Sequence, residues 1–395
     1  LGLVGSEMCI RDRKGGGAFE AWSLYEPTEE HYEEAKKVLE EGKVDEWIIE
    51  TTDACMAGLK EERLRVFYAL LSRLLDNELG VRINLAILGP SDEGKNHLAE
   101  TFIHALPRGT VFYATRLTPS VLDRIGLHNV NFDGKVIFIE ERKGAQASRY
   151  QLNVLLTAGR LRLIYTDKDK GTVRVVDTKG RPVAVTTDES TILPDMELTR
   201  NDVIVLMEPE THRRNVLRFI ARQKASVRRT EKAVEAKKKL RALNILLERD
   251  GPYVAVNPVA LALAEVFPVD QQRAPYRAFI RLCDYTSLHA VAYWRHRPNM
   301  VKDGKRYVVA MPEDVEAMLP VLRGVAEASY GTASKEAQRI LDILPDDPAD
   351  GKSTAEVAEE LGVSKETARK KHHALMSRNL VSYTVGPRNS HMWYK

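Results

Sequence analysis

The stretch Leu85-Ala-Ile-Leu-Gly89-Pro-Ser-Asp-Glu-Gly94-Lys95-Asn96 decides the fold of this chain. Its apolar first half predicts a buried strand, and the G-x-x-x-x-G-K pattern that follows is typical of a phosphate-binding loop that opens into a helix. Backbone N–H groups and the helix N-terminus can surround phosphate oxygens, and the lysine can reach the β- and γ-phosphates. We therefore predict a nucleotide site whose contacts come from Gly89, Pro90, Ser91, Asp92, Glu93, Gly94, Lys95, Asn96 and His97.

Asn96 departs from this pattern, which calls for Ser or Thr at its last position. The hydroxyl of that residue normally holds Mg²⁺ beside the phosphates. An amide oxygen can still coordinate Mg²⁺, directly or through water, but it is a neutral ligand. The sequence therefore predicts nucleotide binding and leaves hydrolysis open.

A second apolar strand, Lys135-Val-Ile-Phe-Ile-Glu140-Glu141, follows about forty residues later and ends in two carboxylates. An NTPase needs one acid to hold Mg²⁺ and another to orient or deprotonate the attacking water. We assign these roles to Glu140 and Glu141 in that order, with Asn96 as the second metal ligand. The first position is usually Asp, so the longer Glu140 is another departure.

Two further polar positions lie beside predicted strands. The strand Arg181–Thr187 ends in Thr186 and Thr187. In P-loop ATPases with an additional strand, such a residue contacts the γ-phosphate or the lytic water, although turn capping would give the same pattern. Arg200 precedes the last strand of the predicted core, where a ring-forming ATPase presents an arginine finger to its neighbour. A surface salt bridge is the alternative for Arg200.

Residues 160–179 predict a β-hairpin, because two arms rich in β-branched residues flank Asp-Lys168-Asp-Lys170-Gly. Hairpins inserted before the additional strand line the central channel of some hexameric helicases, and their basic tips contact the DNA backbone. Lys168 and Lys170 are the candidates for such contacts. Charged hairpin tips are also an ordinary means of keeping strand edges soluble.

With these parts in order, residues 60–325 resemble the helicase-like ATPase module that accompanies zinc-finger/TOPRIM primases on bacterial and archaeal mobile elements. The resemblance implies an AAA+-like P-loop motor related to superfamily 3 helicases, with ATP and Mg²⁺ as cofactors. It also implies a ring-shaped homo-oligomer such as a hexamer, DNA as substrate and a primase as partner. Asn96 and the absence of a primase region depart from the family. The segments on which this family resemblance rests are Arg65–Leu75, the phosphate loop, Ile137–Glu141, Leu155–Arg160, the hairpin and Glu197–Arg200.

Near its end the chain has the pattern of a helix-turn-helix. Its first helix would bury Val357, Ala358 and Leu361, and Gly362 would permit the tight turn. Ser364 would cap a second helix that packs through Ala368 and Leu375. The side chains left for the major groove or its phosphates are Lys365, Thr367, Arg369 and Lys370.

Two short strands follow this pattern. Residues 381–385 and 391–394 flank a turn that carries Arg388, which predicts a β-wing with an arginine placed for backbone contact. The whole of residues 333–395 resembles a winged-helix domain of the transcription-regulator type. Some winged helices bind proteins, but the basic second helix favours DNA.

The remaining organisation follows from composition and charge. Residues 1–13 resemble a translated sequencing-adapter peptide, so we interpret 1–19 as an artefact or a disordered segment. Residues 20–80 predict a helical preface, 81–210 an α/β core of the P-loop type, and 211–330 a basic helix with a mostly helical region. Residues 20–64 hold fourteen Asp/Glu against five Lys/Arg, whereas 211–248 hold twelve Lys/Arg against three Glu. This asymmetry indicates either an anionic partner or a solvated helix face.

Several classes of protein are disfavoured. No stretch approaches the roughly 20 apolar residues that cross a bilayer, and no signal peptide is visible; we therefore expect a cytoplasmic protein without a membrane partner. Cys9, Cys55 and Cys283 are far apart and form no C-x-x-C pair, so neither a disulfide framework nor a zinc site is indicated.

Two hypotheses remain open from the sequence. The first is a DNA-dependent ATPase, a helicase-like motor in the replication of a mobile element, tethered to DNA by its winged helix. The second is a nucleotide-switched DNA-binding initiator or regulator with little or no ATP turnover. Asn96 favours the second, whereas the hairpin and Arg200 favour the first.

Overall fold

The structure is a computed structural model that describes most of the chain in two compact units. The first unit takes in residues up to 267 together with 278–325, and the second takes in 268–277 and residues from 326 onward. The described residues are 25–76, 78, 80–90, 94–128, 130–167, 172–189, 200–206, 210–225, 227–267, 275–329, 340, 343–345, 347–376, 381–386 and 391–394.

Among the described residues, three helices precede the sheet, within the segment 20–80 that the sequence predicts to be a helical preface: α1 (Glu29–Glu41), α2 (Val44–Thr52) and α3 (Lys60–Leu71). At the start of α1 the backbone N–H of Thr28 donates to Nδ1 of His31 at 2.9 Å, which ties down the first turn. Every residue of α3 from Arg63 to Leu71 is buried. The helix therefore runs through the core of the unit rather than over its surface.

The core of the first unit is a five-stranded parallel sheet in the order β2-β3-β6-β1-β7. All five residues of β1 are buried, as expected for a strand covered on both faces. The apolar runs at 82–88, 110–114, 135–140, 181–187 and 202–207 predict five core strands, and all five are confirmed with ends that differ by at most two residues. Their bounds are β1 (Asn84–Leu88), β2 (Val111–Ala114), β3 (Val136–Ile139), β6 (Val183–Asp188) and β7 (Asn201–Val205).

The strand order decides which loops meet. β6 lies between β1 and β3, with Leu88 paired to Asp188 and Ile139 paired to Thr186. Helices connect the parallel strands: α4 (Lys95–Ile103), α5 (Pro119–Arg124) and α6 (Arg149–Ala158). Thr118 at the N-cap position and Pro119 at the first helical position begin α5, which is the helix start that a Thr-Pro pair predicts. The loops after β1, β3 and β6 therefore open at one edge of the sheet, next to the start of α4.

The predicted hairpin is present as β4 (Arg160–Asp167) paired antiparallel with β5 (Thr172–Lys179). One face is exposed, since Ile164 and its partner Val175 are 62% and 55% exposed. Lys168 and Lys170 lie outside the described residues.

Beyond β7 the unit is mostly helical, as predicted, with a small three-stranded sheet in the order β8-β10-β9. The segment Lys302-Asp-Gly304-Lys305 predicts a hairpin turn, and it joins β9 to β10, with positive φ at Asp303 (51°) and Gly304 (72°). The elements are α7 (Glu210–Lys224), α8 (Val227–Asp250), β8 (Tyr253–Val256), α9 (Val259–Val266), α10 (Pro275–Ala292), β9 (Asn299–Lys302), β10 (Lys305–Val309) and α11 (Pro312–Ser329).

Helix α8 accounts for part of the charge asymmetry. Its cations face acids of the preface: Lys239 Nζ lies 2.7 Å from Glu34 Oε2, and Arg241 Nη1 lies 2.9 Å from Glu26 Oε1. The acidic preface thus neutralises part of the basic segment within the same chain.

The second unit contains α12 (Thr354–Leu361), α13 (Lys365–Met376) and a three-stranded antiparallel sheet of β11 (Lys352–Ser353), β12 (Ser382–Val385) and β13 (His391–Tyr394). Gly362 ends α12 with φ +67°, and the hydroxyl of Ser364 accepts from the backbone N–H of Thr367 at 3.1 Å. The core contains Val357, Ala358, Ala368, Leu375 and Trp393. The predicted helices, turn and strands are thus present, and β11 is an addition. Leu361, predicted as core, is only half-buried.

Among the described residues, no helix combines the length and the apolar character that crossing a bilayer requires.

Candidate nucleotide site

A cavity of about 360 Å³ lies at the carboxyl edge of the parallel sheet, where the loops after β1, β3 and β6 meet the start of α4. Such an edge, at the point where neighbouring connections diverge, is the usual ligand position of open α/β sheets. Its lining residues are Gly94, Lys95, Asn96, His97, Glu140, Glu141, Arg142, Thr187, Asp188 and Glu189.

The loop after β1 is fixed at both ends by glycines. Gly89 has φ +151°, and a Cβ built on it would lie 2.6 Å from the carbonyl oxygen of Leu206. Its N–H donates to the carbonyl of Asp188 at 3.2 Å. Gly94 has φ +76° and immediately precedes α4. The two positions therefore require glycine for close approach and for a left-handed turn. Ser91, Asp92 and Glu93 lie outside the described residues.

Lys95 lies against the loop. Its ammonium donates to the carbonyl of Pro90 at 2.6 Å, and the residue is only 9% exposed. A phosphate in the cavity would offer this ammonium a charged acceptor in place of the neutral carbonyl. His97 lines the cavity, but its Nε2 is 2.8 Å from the carbonyl of Cys55, which joins α4 to the helical preface.

Glu140 is held from two sides. The amide Nδ2 of Asn96 donates to its Oε1 at 3.3 Å, and the hydroxyl of Tyr113 donates to its Oε2 at 2.6 Å. Burial, together with this bond to Glu140, raises the pKa of the Tyr113 phenol. Burial also raises the pKa of the nearby Glu100, and the charge of Glu140 adds to that effect.

Tyr113 was missed from the sequence. It comes second to last in β2, opposite Phe138 of β3, so its position beside Glu140 depends on the pairing of those strands. The register of a predicted sheet would have been needed to find it.

The cavity carries more acid than base. Four carboxylates line it, with Lys95 and Arg142 as the cations. Arg142 Nη1 lies 3.8 Å from Asp188 Oδ2, which keeps the guanidinium at the end of β6. Arg142 was also missed, although its place directly after the two acids was a usable signal. A polyphosphate entering this site would meet net negative charge, so a divalent cation would have to accompany it.

The two threonines at the end of β6 differ in position. The hydroxyl of Thr187 donates to the backbone carbonyl of Glu140, and the residue lines the cavity. The hydroxyl of Thr186 donates to the carbonyl of Leu85 at 3.4 Å, inside the sheet. Of the two threonines, Thr187 is therefore the one that faces the cavity. Thr186 contacts β1, the strand that leads into the phosphate loop.

Arg200 lies at the opposite edge of the sheet. Asn201, the first residue of β7, pairs with Asn84, the first residue of β1, and the carbonyl of Arg200 accepts from Asn84 Nδ2 at 3.4 Å. The five residues of β1, roughly 17 Å at 3.3–3.4 Å each, separate it from the cavity. Its side chain is exposed, and no ion pair joins it to another described residue. Arg200 therefore cannot serve the cavity of its own chain.

A buried cluster supports β7 beside Arg200. Asp202 accepts two hydrogen bonds from Arg65 of α3, at 2.9 and 3.2 Å, and one from the hydroxyl of Tyr285 of α10 at 2.5 Å. Burial alone would raise the pKa of Asp202, but the charge of Arg65 lowers it. Burial raises the pKa of the neighbouring Asp284 to about 7, against the opposing effect of Arg281.

No group of three or more potential metal-binding His, Cys, Asp or Glu side chains occurs in the described part of the chain. Glu140 and Asn96, already in contact, remain the two candidate ligands for Mg²⁺. Two protein ligands suit an ion that keeps water and phosphate in the rest of its coordination shell.

The candidate DNA contacts of the second unit are only partly described. Lys365 and Arg369 are exposed on α13. The hydroxyl of Thr367 lies 2.8 Å from Ser364 Oγ, so it takes part in the helix cap. Lys370 belongs to α13, but its side chain is not among those described, and Arg388 lies outside the described residues.

No protein-family model matches this chain, and no curated protein matches it either. Among solved structures, it is similar to a full-length MCM homolog from Methanopyrus kandleri, with 13% identity and a TM-score of 0.47. That match covers 77% of this chain and 62% of the other, so this chain spans less than two thirds of that protein.

Two structures of JCV helicase are also similar to this chain. One, with a bound small molecule, gives 15% identity and a TM-score of 0.31 over 66% of this chain and 69% of the other. The second, with a bound inhibitor, gives 13% identity and a TM-score of 0.28 over 71% of this chain and 70% of the other. All three TM-scores lie below 0.5, so the interpretation of the cavity rests on the residues that line it.

Proposed function

We propose that this chain is an ATP-binding P-loop protein and a DNA-dependent ATPase with helicase-like action. The observation that carries the proposal is one cavity, at the carboxyl edge of a parallel sheet, that brings Lys95 together with Glu140 and Glu141. The loop supplies the phosphate cradle, the lysine supplies charge for the β- and γ-phosphates, and the carboxylates come from a strand two places away.

Mg²⁺ fits the donors present at the site. Asn96 has an amide oxygen and Glu140 a carboxylate oxygen to offer the ion, and the two side chains are joined by the hydrogen bond from Asn96 Nδ2 to Glu140 Oε1. The excess of carboxylates disfavours a bare polyphosphate. When bound, the ion would neutralise phosphate charge. The hydrogen bonds from Asn96 and Tyr113 engage both oxygens of the Glu140 carboxylate, so the ion would compete with these donors for it.

Hydrolysis would use Glu141 as the group that orients the water and takes its proton. The water oxygen forms a bond to the γ-phosphorus, the bond from that phosphorus to the bridging oxygen breaks, and ADP and phosphate leave. Thr187 is suited to contact the water or the γ-phosphate from β6, a role the sequence assigns equally to Thr186. Lys95 and Arg142 would offset the negative charge of the transferred group.

A second subunit would complete this site. Arg200 lies at the edge of the sheet away from its own cavity, exposed and free of ion pairs to other described residues. This supports a ring-shaped homo-oligomer, such as a hexamer, in which Arg200 of one copy reaches the nucleotide of the next. A closed ring would give every copy the same interface.

DNA would be the substrate, bound by the second unit as a winged helix and by the β4–β5 hairpin. The exposed Lys365 and Arg369 on α13 support contact with the groove or its phosphates, and Lys168, Lys170, Lys370 and Arg388 are further candidates. Replication of a mobile element, with a primase as partner, is the setting that the family resemblance implies.

Steady-state ATPase assays test the proposal. The wild-type chain, Lys95→Ala and Asn96→Ser would each be measured with and without single- and double-stranded DNA. We expect DNA-stimulated turnover that Lys95→Ala abolishes. If the wild-type chain binds nucleotide without turnover and Asn96→Ser gains it, the chain is not a working ATPase.

The second candidate function is a nucleotide-switched DNA-binding initiator or regulator that turns over little or no ATP. The bond from the Asn96 amide to Glu140 favours it, because a neutral amide stands where a metal-holding hydroxyl is usual. Nucleotide-dependent assembly on DNA without phosphate release would support this function over the first.

A further inference from the structure

Helix α7 carries three arginines in one stripe. Arg214, Arg218 and Arg222 recur at every fourth residue, so they rise about 6 Å per step along one side of the helix. All three side chains are exposed. None forms an ion pair with another described residue. We name Arg214, Arg218 and Arg222 the α7 stripe.

The stripe is unlike an ordinary solvated face. Exposed helices usually alternate charge sign, and like charges four residues apart destabilise a helix. In the adjoining α8, Lys239 and Arg241 have carboxylate partners in the preface, Glu34 and Glu26. The single acid of α7, Glu210, is its first residue. Repulsion along the stripe is therefore relieved best by an external anion that spans all three positions.

Residue type points to phosphate. Arginine presents a planar fork of donors that matches phosphate oxygens, whereas lysine offers a point charge. The exposed Leu217 (66%), three residues after Arg214, lies beside the stripe and offers apolar contact to sugars and bases. A regular row of arginines with an apolar neighbour suits a polymer of evenly spaced phosphates better than a single small anion.

We propose that the α7 stripe is a binding site for the phosphate backbone of a nucleic acid strand. The inference rests on the proposed action on DNA and adds a contact surface in the first unit, separate from the candidates in the second unit and at the hairpin. The alternative occupant is an acidic surface of a second copy of this chain.

The test is the salt dependence of oligonucleotide binding to the full chain, measured by fluorescence anisotropy with single- and double-stranded probes. The variant R214Q/R218Q/R222Q is compared with wild type and with K36Q/K60Q/K302Q, which removes three exposed charges elsewhere. Loss of three phosphate contacts should reduce the slope of log K against log salt by about two on single strands and slightly more on duplex. The control should retain the wild-type slope.

An unchanged slope in R214Q/R218Q/R222Q overturns the inference while leaving the proposed function intact, provided wild type binds DNA and hydrolyses ATP. So does a variant that loses self-association in light scattering but keeps its slope, since the stripe would then contact another copy. If wild type binds neither probe, the proposed DNA-dependent function fails as well. Nucleotide affinity equal to wild type in both variants shows that the fold is retained.

Discussion

Asn96 donates a 3.3 Å hydrogen bond to Glu140, and this contact joins the last residue of the phosphate loop to the first acid of the neighbouring motif. Asn96 and Glu140 are forty-four positions apart in the sequence. They follow β1 and β3, and β6 lies between these two strands in the sheet. Asn96 thus places an amide where a Ser or Thr hydroxyl usually coordinates Mg²⁺. Tyr113 holds the other oxygen of the same carboxylate at 2.6 Å. The chemistry of the site therefore depends on how easily Glu140 can exchange these partners.

Tyr113→Phe is expected to lower the Mg²⁺ concentration that half-saturates nucleotide binding. The tyrosine hydroxyl competes with the ion for Oε2 of Glu140, and a hydrogen bond of about 1 kcal/mol corresponds to roughly a fivefold change. Calorimetric titration of nucleotide at a series of Mg²⁺ concentrations measures the shift. The control is Tyr150→Phe, which removes an exposed tyrosine hydroxyl from α6 of the same unit. Equal Mg²⁺ dependence in all three proteins would contradict the prediction.

Arg200→Ala is expected to bind nucleotide normally and to lose ATPase activity. Its distance from its own cavity predicts rescue in mixed assemblies, since Lys95→Ala copies still supply an intact Arg200. A one-to-one mixture of the two inactive variants should recover about a quarter of wild-type turnover if interfaces form at random between equivalent copies. Phosphate release at matched total protein measures this. A mixture as inactive as its components would argue against action in trans.

Asp202→Asn is expected to lower the free energy of unfolding by roughly 3–5 kcal/mol, because it leaves the charge of Arg65 buried without its carboxylate. Urea unfolding followed by circular dichroism measures the change. Glu41→Gln removes one partner of the exposed Lys37–Glu41 pair and should leave the unfolding midpoint unmoved. Similar shifts in the two variants would show that burial of the ion pair is not the cause.

Asp284 predicts a pH dependence of stability. Its folded pKa of about 7 lies above the ordinary aspartate value of 3.8. The folded state therefore favours the protonated carboxyl, and the stability that this protonation contributes is lost as pH rises from about 4 toward 7. Asp284→Asn should therefore be more stable than wild type at pH 8, by roughly 4 kcal/mol, and should approach wild type near pH 4. Urea midpoints at the two pH values measure this. A difference that does not vary with pH would refute the assignment.

Much of the fold could be predicted from periodicity and turn residues. The strands of the core, the start of α5, the β4–β5 hairpin and the helices and strands of the second unit all carry local signals in their own residues. Gly362 and Ser364 end one helix and begin the next through their own backbone and hydroxyl groups. Such features depend on neighbours in the chain, so the chain alone suffices to find them.

The composition of the cavity could be predicted only in part. Lys95, Asn96, Glu140 and Glu141 belong to motifs with fixed spacing, and the sequence identifies them. Tyr113 and Arg142 belong to no such motif. Tyr113 enters through the pairing of β2 with β3, and Arg142 through its approach to Asp188.

The sequence by itself determined which segments are strands and helices and which loop can hold phosphate, because these properties reside in local patterns of apolar residues, glycines and charges. Tertiary structure alone decided the order of the strands. That order turns Thr187 rather than Thr186 to the cavity and sets Arg200 at the far edge of the sheet. The packing of the helices lets acids of the preface pair with cations of α8, whereas Arg214, Arg218 and Arg222 of α7 stay exposed. Pairing between distant strands and helices fixes these relations, and no local signal encodes them.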